Sequence, residues 1–130
     1  MTAPTIAIVD DDISIRESLQ YLVRDLGYAP LLYPSAESFL QAARRSEVQC
    51  LVLDVALPGM SGPALLADLR ARGWSVPTIF MTARTQIDLG KKLLRDGATG
   101  FLAKPFDDAE FARQINAAFG TDRNPPPPAR

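Results

Sequence analysis

The sequence predicts an α/β domain built as a doubly wound, five-stranded parallel sheet with helices on both faces. Short apolar, β-rich runs alternate five times with stretches of helical periodicity, at spacings of about 20–25 residues. Several of the strand runs end in a charged or hydroxyl residue, as the strands of an open parallel sheet do when their carboxyl ends carry a site. The length of 130 residues and the 47% hydrophobic composition suffice for one core without disulfides or metal clips.

The first run, Thr5 to Val9, is followed at once by Asp10, Asp11 and Asp12, and reads as a buried strand ending in acid. From Ile15 the apolar positions fall at Leu19, Leu22, Val23 and Leu26, which predicts a helix that Gly27 terminates. Ala29 to Tyr33 is short and contains Pro30; proline has no ladder donor to offer, so this strand belongs at an edge. Ser35 caps a helix to about Ala43, with Phe39, Leu40 and Ala43 inward. Cys50 to Leu53 is the third strand and again ends in an aspartate, Asp54; a loop from Leu57 to Gly62 leads to a helix from Pro63 to about Arg72, stopped by Gly73. Thr78 to Met81 is a fourth strand ending at Thr82. The helix after it, about Gln86 to Arg95, is the weakest, because Gly90 inside it costs about 1 kcal/mol relative to alanine. Gly100 to Ala103 forms the fifth strand, ending in Lys104 and Pro105, and the last helix, Asp107 to about Phe119, buries Phe111, Ile115 and Phe119 before Gly120. Residues 121–130 include Pro125 to Pro128 and are expected to stand outside the core as a proline-rich tail or linker, leaving 1–120 as the domain.

Composition excludes several functions. A net charge of −1 offers no electrostatic footprint for nucleic acid. No apolar run approaches the ~20 residues of a membrane helix, and the opening Met-Thr-Ala-Pro-Thr carries no export pattern. The single Cys50, in an apolar strand, reads as a small core residue, so a reducing cytoplasm is the expected setting. The chain has no histidine, which removes His-based triads and His metal sites.

The residues at the strand ends are Asp10 and Asp11, Tyr33 and Pro34, Asp54, Thr82 and Ala83, and Lys104 and Pro105. Singly, each has a plain structural explanation: a helix cap, a turn residue, a local hydroxyl bond, a solvated lysine. Jointly, neighbouring strands would bring three carboxylates, a hydroxyl and an ammonium into one crevice. Such acids repel one another and favour a hard divalent cation with oxygen ligands, Mg²⁺ or Mn²⁺. With a lysine and a threonine alongside, they match what phosphoryl transfer to a carboxylate requires.

Four segments in these positions, Val9-Asp10-Asp11-Asp12, Leu53-Asp54-Val55-Ala56-Leu57-Pro58-Gly59-Met60-Ser61-Gly62, Met81-Thr82-Ala83 and Gly100-Phe101-Leu102-Ala103-Lys104-Pro105-Phe106, make the chain resemble the receiver domains of two-component response regulators, the CheY-like group, from Ile6 to about Phe119. The resemblance implies strand order 2-1-3-4-5, the order of the CheY-like receivers. It implies Asp54 as phosphoacceptor from a phosphohistidine on a sensor histidine kinase or phosphotransfer protein. Asp11, Asp54 and the Ala56 backbone carbonyl would ligate the metal, with Asp10 acting through a water. Thr82, the Ala83 N–H and Lys104 would bind the phosphoryl group, Phe101 would be the switch aromatic, and Lys104–Pro105 a cis peptide. Asp12 is left to helix capping. The surface of the fourth helix, fifth strand and fifth helix would then change partners or form a homodimer, and the product would be a signal rather than a metabolite. Ala56 and Arg84, each two residues beyond a site residue, are expected to tune the lifetime of the acyl phosphate. The segment Ser35-Ala36-Glu37-Ser38-Phe39-Leu40 and the loop Leu57-Pro58-Gly59-Met60-Ser61-Gly62 are similar to those of regulators with a C-terminal, LuxR-type helix-turn-helix output. Among the alternatives, a non-phosphorylated interaction module has no need of the acids, Thr82 and Lys104. A haloacid dehalogenase-type hydrolase wants an acid where Ala56 stands, and a flavodoxin-like phosphate loop would be repelled by three aspartates.

Overall fold

The computed structural model describes residues 3–120. Five strands, β1 (Thr5–Val9), β2 (Ala29–Tyr33), β3 (Cys50–Asp54), β4 (Thr78–Ala83) and β5 (Gly100–Lys104), alternate with five helices, α1 (Ile13–Asp25), α2 (Ala36–Ala42), α3 (Gly62–Ala71), α4 (Ile87–Arg95) and α5 (Asp108–Ala118). Short 3₁₀ turns at Arg45–Glu47 and Arg84–Gln86 precede β3 and α4. All strand pairs are parallel, in the order β2-β1-β3-β4-β5. The chain moves outward from β1 to β2 and then crosses back to β3, so the strand order reverses beside β1. There the carboxyl ends of β1 and β3 lie side by side.

The period of two along each strand divides the core. Ala7, Val9, Leu51, Leu53 and Phe80 point to one face and pack with Phe39 of α2, Leu65 and Leu69 of α3, and Leu93 of α4. Ile6, Ile8, Val52, Ile79, Met81 and Leu102 point to the other and pack with Leu19 and Val23 of α1 and Phe111 and Ile115 of α5. Cys50 is fully buried in this second cluster, and burial pushes its thiol up to about 12, which keeps it inert near neutrality. Pro30 lies in β2, an edge strand. Among the described residues, no helix is long and apolar enough to cross a membrane.

Helix ends follow local chemistry. Asp12 caps α1 by accepting from Ser14 N–H at 2.8 Å, which starts the helix at Ile13 rather than Ile15. Ser35 and Ser38 form a reciprocal box at α2, which ends at Ala42. Ser61 caps α3 one residue earlier than the proline suggests, and Asp107 caps α5 rather than beginning it. Gly27 and Gly73 take φ of +94° and +85°, the left-handed turn that ends α1 and α3. Only α4, among these five, has no side-chain cap, and it follows a 3₁₀ turn. Phe119 is the C-cap of α5 rather than a helical core residue, and it stacks on Tyr28 at a 4.6 Å centroid separation. The proline-rich segment expected at 121–130 lies outside the described residues.

Candidate phosphoryl and metal site

The strands run further than their apolar runs. β3 includes Asp54, paired with Met81; β4 includes Thr82 and Ala83, paired with Ala103 and Lys104 of β5. Four of the candidate residues are thus held by sheet ladders rather than by loops. Asp10 follows β1, and its backbone N–H donates to the Tyr33 carbonyl at 3.1 Å, so the ladder continues one residue into the acid run.

Asp10, Asp11 and Asp54 converge, with ligand oxygens all within 4.8 Å of one another. Asp10 is fully buried and Asp54 nearly so, while Asp11 is exposed at the mouth. Lys104 Nζ donates to Asp10 Oδ2 at 2.9 Å and lies 3.4 Å from Asp54 Oδ2. The second oxygen of Asp10 accepts from Asp12 N–H at 2.9 Å, and Asp54 Oδ1 accepts from Ala56 N–H at 3.3 Å. Burial, and then the charge of Asp10, push the Asp54 carboxyl above its usual range against the pull of Lys104. Burial alone would lower the Lys104 ammonium, but Asp10 and Asp54 together outweigh it and hold the lysine above its usual range.

A cavity of about 580 Å³ opens on Asp54 and Lys104 of this cluster. Asp54, Thr82 and Lys104 line its polar end, with Ala56 and Ala83 beside them, and Leu19, Leu22 and Phe106 line its apolar side. Thr82 is buried, and its hydroxyl has no hydrogen-bond partner among the described residues. A buried hydroxyl without a partner is costly, so it is a donor waiting for an acceptor. The Lys104–Pro105 peptide is cis.

Phe101 stands apart. Its ring packs with the α2–α3–α4 cluster, and it lines a separate groove of about 970 Å³ bordered by Arg84, Leu94 and Gln114.

Four contacts had no specific signal in the sequence. Arg16, one turn into α1, donates to the Asp10 carbonyl at 2.7 Å. Glu37 of α2 accepts from Met60 N–H at 2.9 Å, which ties α2 to the loop after Asp54; this bond lowers the Glu37 carboxyl from its usual value. Arg84 donates to the Pro105 carbonyl at 2.7 Å, bridging the ends of β4 and β5. Gly62 is buried so close under β3 that a Cβ there would overlap the Asp54 backbone carbonyl. Gly62 stands in the motif, but its spatial reason appears only once α3 is packed.

A doubly wound domain with a carboxylate cluster at its topological switch, one lysine between the acids and an unsatisfied hydroxyl beside them belongs to the class that handles phosphoryl groups and divalent cations. Residues 6–116 match the response regulator receiver domain family, and the chain belongs to that family. It is a signalling domain, and acceptance of a phosphoryl group in two-component systems is the standard role of the family. The chain is 40% identical over 113 residues to the transcriptional regulatory protein FixJ of Azorhizobium caulinodans, covering 87% of this chain and 54% of that protein. It is 38% identical over 116 residues to the response regulator protein TodT of Pseudomonas putida, covering 89% and 51%. Among solved structures, a response regulator receiver protein from Burkholderia phymatum superposes with a TM-score of 0.78 at 36% identity, covering 90% of this chain and 95% of that one. The response regulator StyR gives a TM-score of 0.83 at 35% identity, over 94% and 62%. The chain spans about half the length of the curated relatives it matches.

Proposed function

We propose that the chain takes a phosphoryl group onto the Asp54 carboxylate from a phosphohistidine of a sensor kinase or phosphotransfer protein, and that the added charge changes the surface formed by α4, β5 and α5. The observation that carries this reading is the convergence of Asp10, Asp11, Asp54 and Lys104 beside a cavity that Asp54, Lys104 and the buried Thr82 line. Three carboxylates against one ammonium leave the pocket negative, and two of the acids are buried. Oxygen donors of that charge fit a Mg²⁺ or Mn²⁺ ion, held by Asp11, Asp54 and the Ala56 carbonyl, with Asp10 behind them. Bound there, the ion would neutralise the oxygens of the incoming phosphoryl group.

Asp54 supplies the attacking oxygen. An O–P bond forms as the P–N bond breaks, and the electron pair leaves with the donor imidazole. Lys104 is already charged and within reach of Asp54, so it can pair with a phosphoryl oxygen without acquiring a proton. Thr82 Oγ1 gains the acceptor it lacks, and the Ala83 N–H adds a donor. The same groups would serve self-catalysed loss of the phosphoryl group, with Ala56 and Arg84 setting its rate.

The unit that does this is residues 1–120, with 121–130 as a tail or linker. The relatives named as transcriptional regulators are about twice as long, which favours a following output domain, of the LuxR type, in the full protein. A cytoplasmic setting and a homodimer through α4, β5 and α5 belong to the same reading.

Intact mass after incubation with a small acyl phosphate and Mg²⁺, or with a phosphorylated histidine kinase, tests it. One added phosphoryl group, absent in Asp54→Asn and removed by hydroxylamine, is expected. Absence of the addition with both donors would leave an interaction module without phosphoryl chemistry.

A further inference from the structure

The cavity beside Asp54 is larger than a phosphoryl group requires. Its volume of about 580 Å³ falls within the range of sites that enclose a whole small molecule, roughly 300–1,000 Å³. Asp54, Thr82 and Lys104 occupy one end, and most of the remaining wall is apolar. Ile15, Leu19 and Leu22 recur at helical spacing, so one stripe of α1 lines the cavity. Phe106 lines it from the segment between β5 and α5, and its ring is held by stacking on Phe111 at a 6.1 Å centroid separation. Leu19 is buried, whereas Ile15, Leu22 and Phe106 are half-buried and leave apolar surface uncovered. Two further groups say what covers it. Thr82 is only 1% exposed and its hydroxyl is unpartnered, so the polar end lacks an acceptor such as a phosphoryl oxygen. Asp108, exposed at the start of α5, also lines the cavity and would repel a second anionic group on the same ligand. In-line displacement at phosphorus puts the leaving group opposite the attacking Asp54 oxygen, away from the strand end that carries it.

We infer that this cavity is a donor subsite: it takes the uncharged apolar body of an acyl phosphate, about the size of a benzoyl group, while the phosphoryl group lies at Lys104 and Thr82. The inference rests on the phosphorylation reading, which supplies the site for the head group. Asp54 forms the new O–P bond as the bond from phosphorus to the acyl oxygen breaks. The electron pair leaves with the released carboxylate, and no proton is moved. Ile15, Leu22 and Phe106 are then specificity-determining residues, which select among donors by the apolar area they remove from water.

Two donors and two inert analogues test it, all with Mg²⁺. Phenylphosphonate has an aromatic body and no transferable phosphoryl group. In an amide chemical-shift titration it should bind about ten-fold tighter than methylphosphonate, with shifts at Ile15, Leu22 and Phe106. Phosphoryl uptake, read by intact mass, should be faster from benzoyl phosphate than from acetyl phosphate at equal low concentration. Ser18→Trp, at an exposed position of α1 that lines the cavity, should fill it and reduce that donor ratio several-fold. The intrinsic reactivity of the two donors cancels when parent and variant are compared. Equal affinity for the two phosphonates, or a donor ratio unchanged in a folded Ser18→Trp, would overturn the subsite and leave the apolar wall to a protein partner. Should Ser18→Trp fail to fold, the phosphonate pair decides in the parent. If neither acyl phosphate is used while a phosphorylated histidine kinase is, the donor assignment is overturned and the phosphorylation reading stands. If no donor of any kind is used, that reading fails and the donor assignment with it, and the phosphonate pair still decides whether the cavity binds an apolar body.

Discussion

Helices α3 and α4 both meet the sheet through a buried glycine, but against different atoms. At Gly62 the missing Cβ makes room for the backbone carbonyl of Asp54; at Gly90 it makes room for the ring of Phe101. Backbone inside a paired strand cannot yield, whereas a ring beside an open groove can. The surroundings follow the same division. α3 is capped by Ser61, and its strand β3 is fully buried between β1 and β4. α4 has no side-chain cap, enters through a 3₁₀ turn, and packs near the edge strand β5. One half of the molecule fixes where the carboxylates stand; on the function proposed above, the other changes in response to what binds them. Low local stability is what a moving surface requires.

This contrast makes Gly62→Ala the most damaging change. It should cost about 3 kcal/mol, the upper part of the range for overpacking, because the obstructing atom is backbone. Urea unfolding measures it; a cost as small as that of Gly90→Ala would erase the distinction between the two helices. Lys104→Ala should come next, at about 2–3 kcal/mol, since it strands the fully buried Asp10 without a cation. The figure lies below that for a wholly buried pair because the lysine is partly exposed. Retained stability in that variant would show that water reaches Asp10. A smaller effect, of opposite sign, should come from metal. Mg²⁺ at ten times its dissociation constant should stabilise the parent by about 1.4 kcal/mol by mass action, and Asp11→Ala should remove most of that gain. An undiminished gain in Asp11→Ala would move the cation elsewhere.

The smallest effect concerns Asp54 in metal-free protein. Its carboxyl is held above the usual value by burial and by Asp10, so the folded state binds the proton more tightly than the unfolded chain does. The associated stability is present at acid pH below the unfolded value, and it is lost as pH rises through the raised folded value. Asp54→Asn should therefore gain stability relative to the parent as pH rises from about 4 toward neutrality. Urea midpoints of both proteins across that range test the sign; a constant difference would mean that the carboxylate is not strained.

The fold was legible because period-two strands and period-3.6 helices alternate with clear stops at Gly27, Gly73 and Gly120. The acids, Thr82 and Lys104 were legible as a group because parallel strands deliver their carboxyl ends to one edge. Pairing was harder to read. That Asp54, Thr82 and Lys104 are themselves ladder residues depends on register, which no single segment encodes. Gly90 appeared in the sequence only as a weak point in a helix, and its meaning depends on a ring eleven residues away in another element. Arg16, Glu37 and Arg84 were invisible as partners for a related reason: each reaches a backbone group whose position is set by tertiary packing.

The division between a fixed and a responsive half is tested most directly by residue-resolved amide hydrogen exchange, with and without the phosphoryl group on the protein. The expected result is altered protection from Thr82 through α4 and along β5, with β1, β3 and α3 unchanged. Equal changes in α3 and α4, or changes confined to α3, would contradict it.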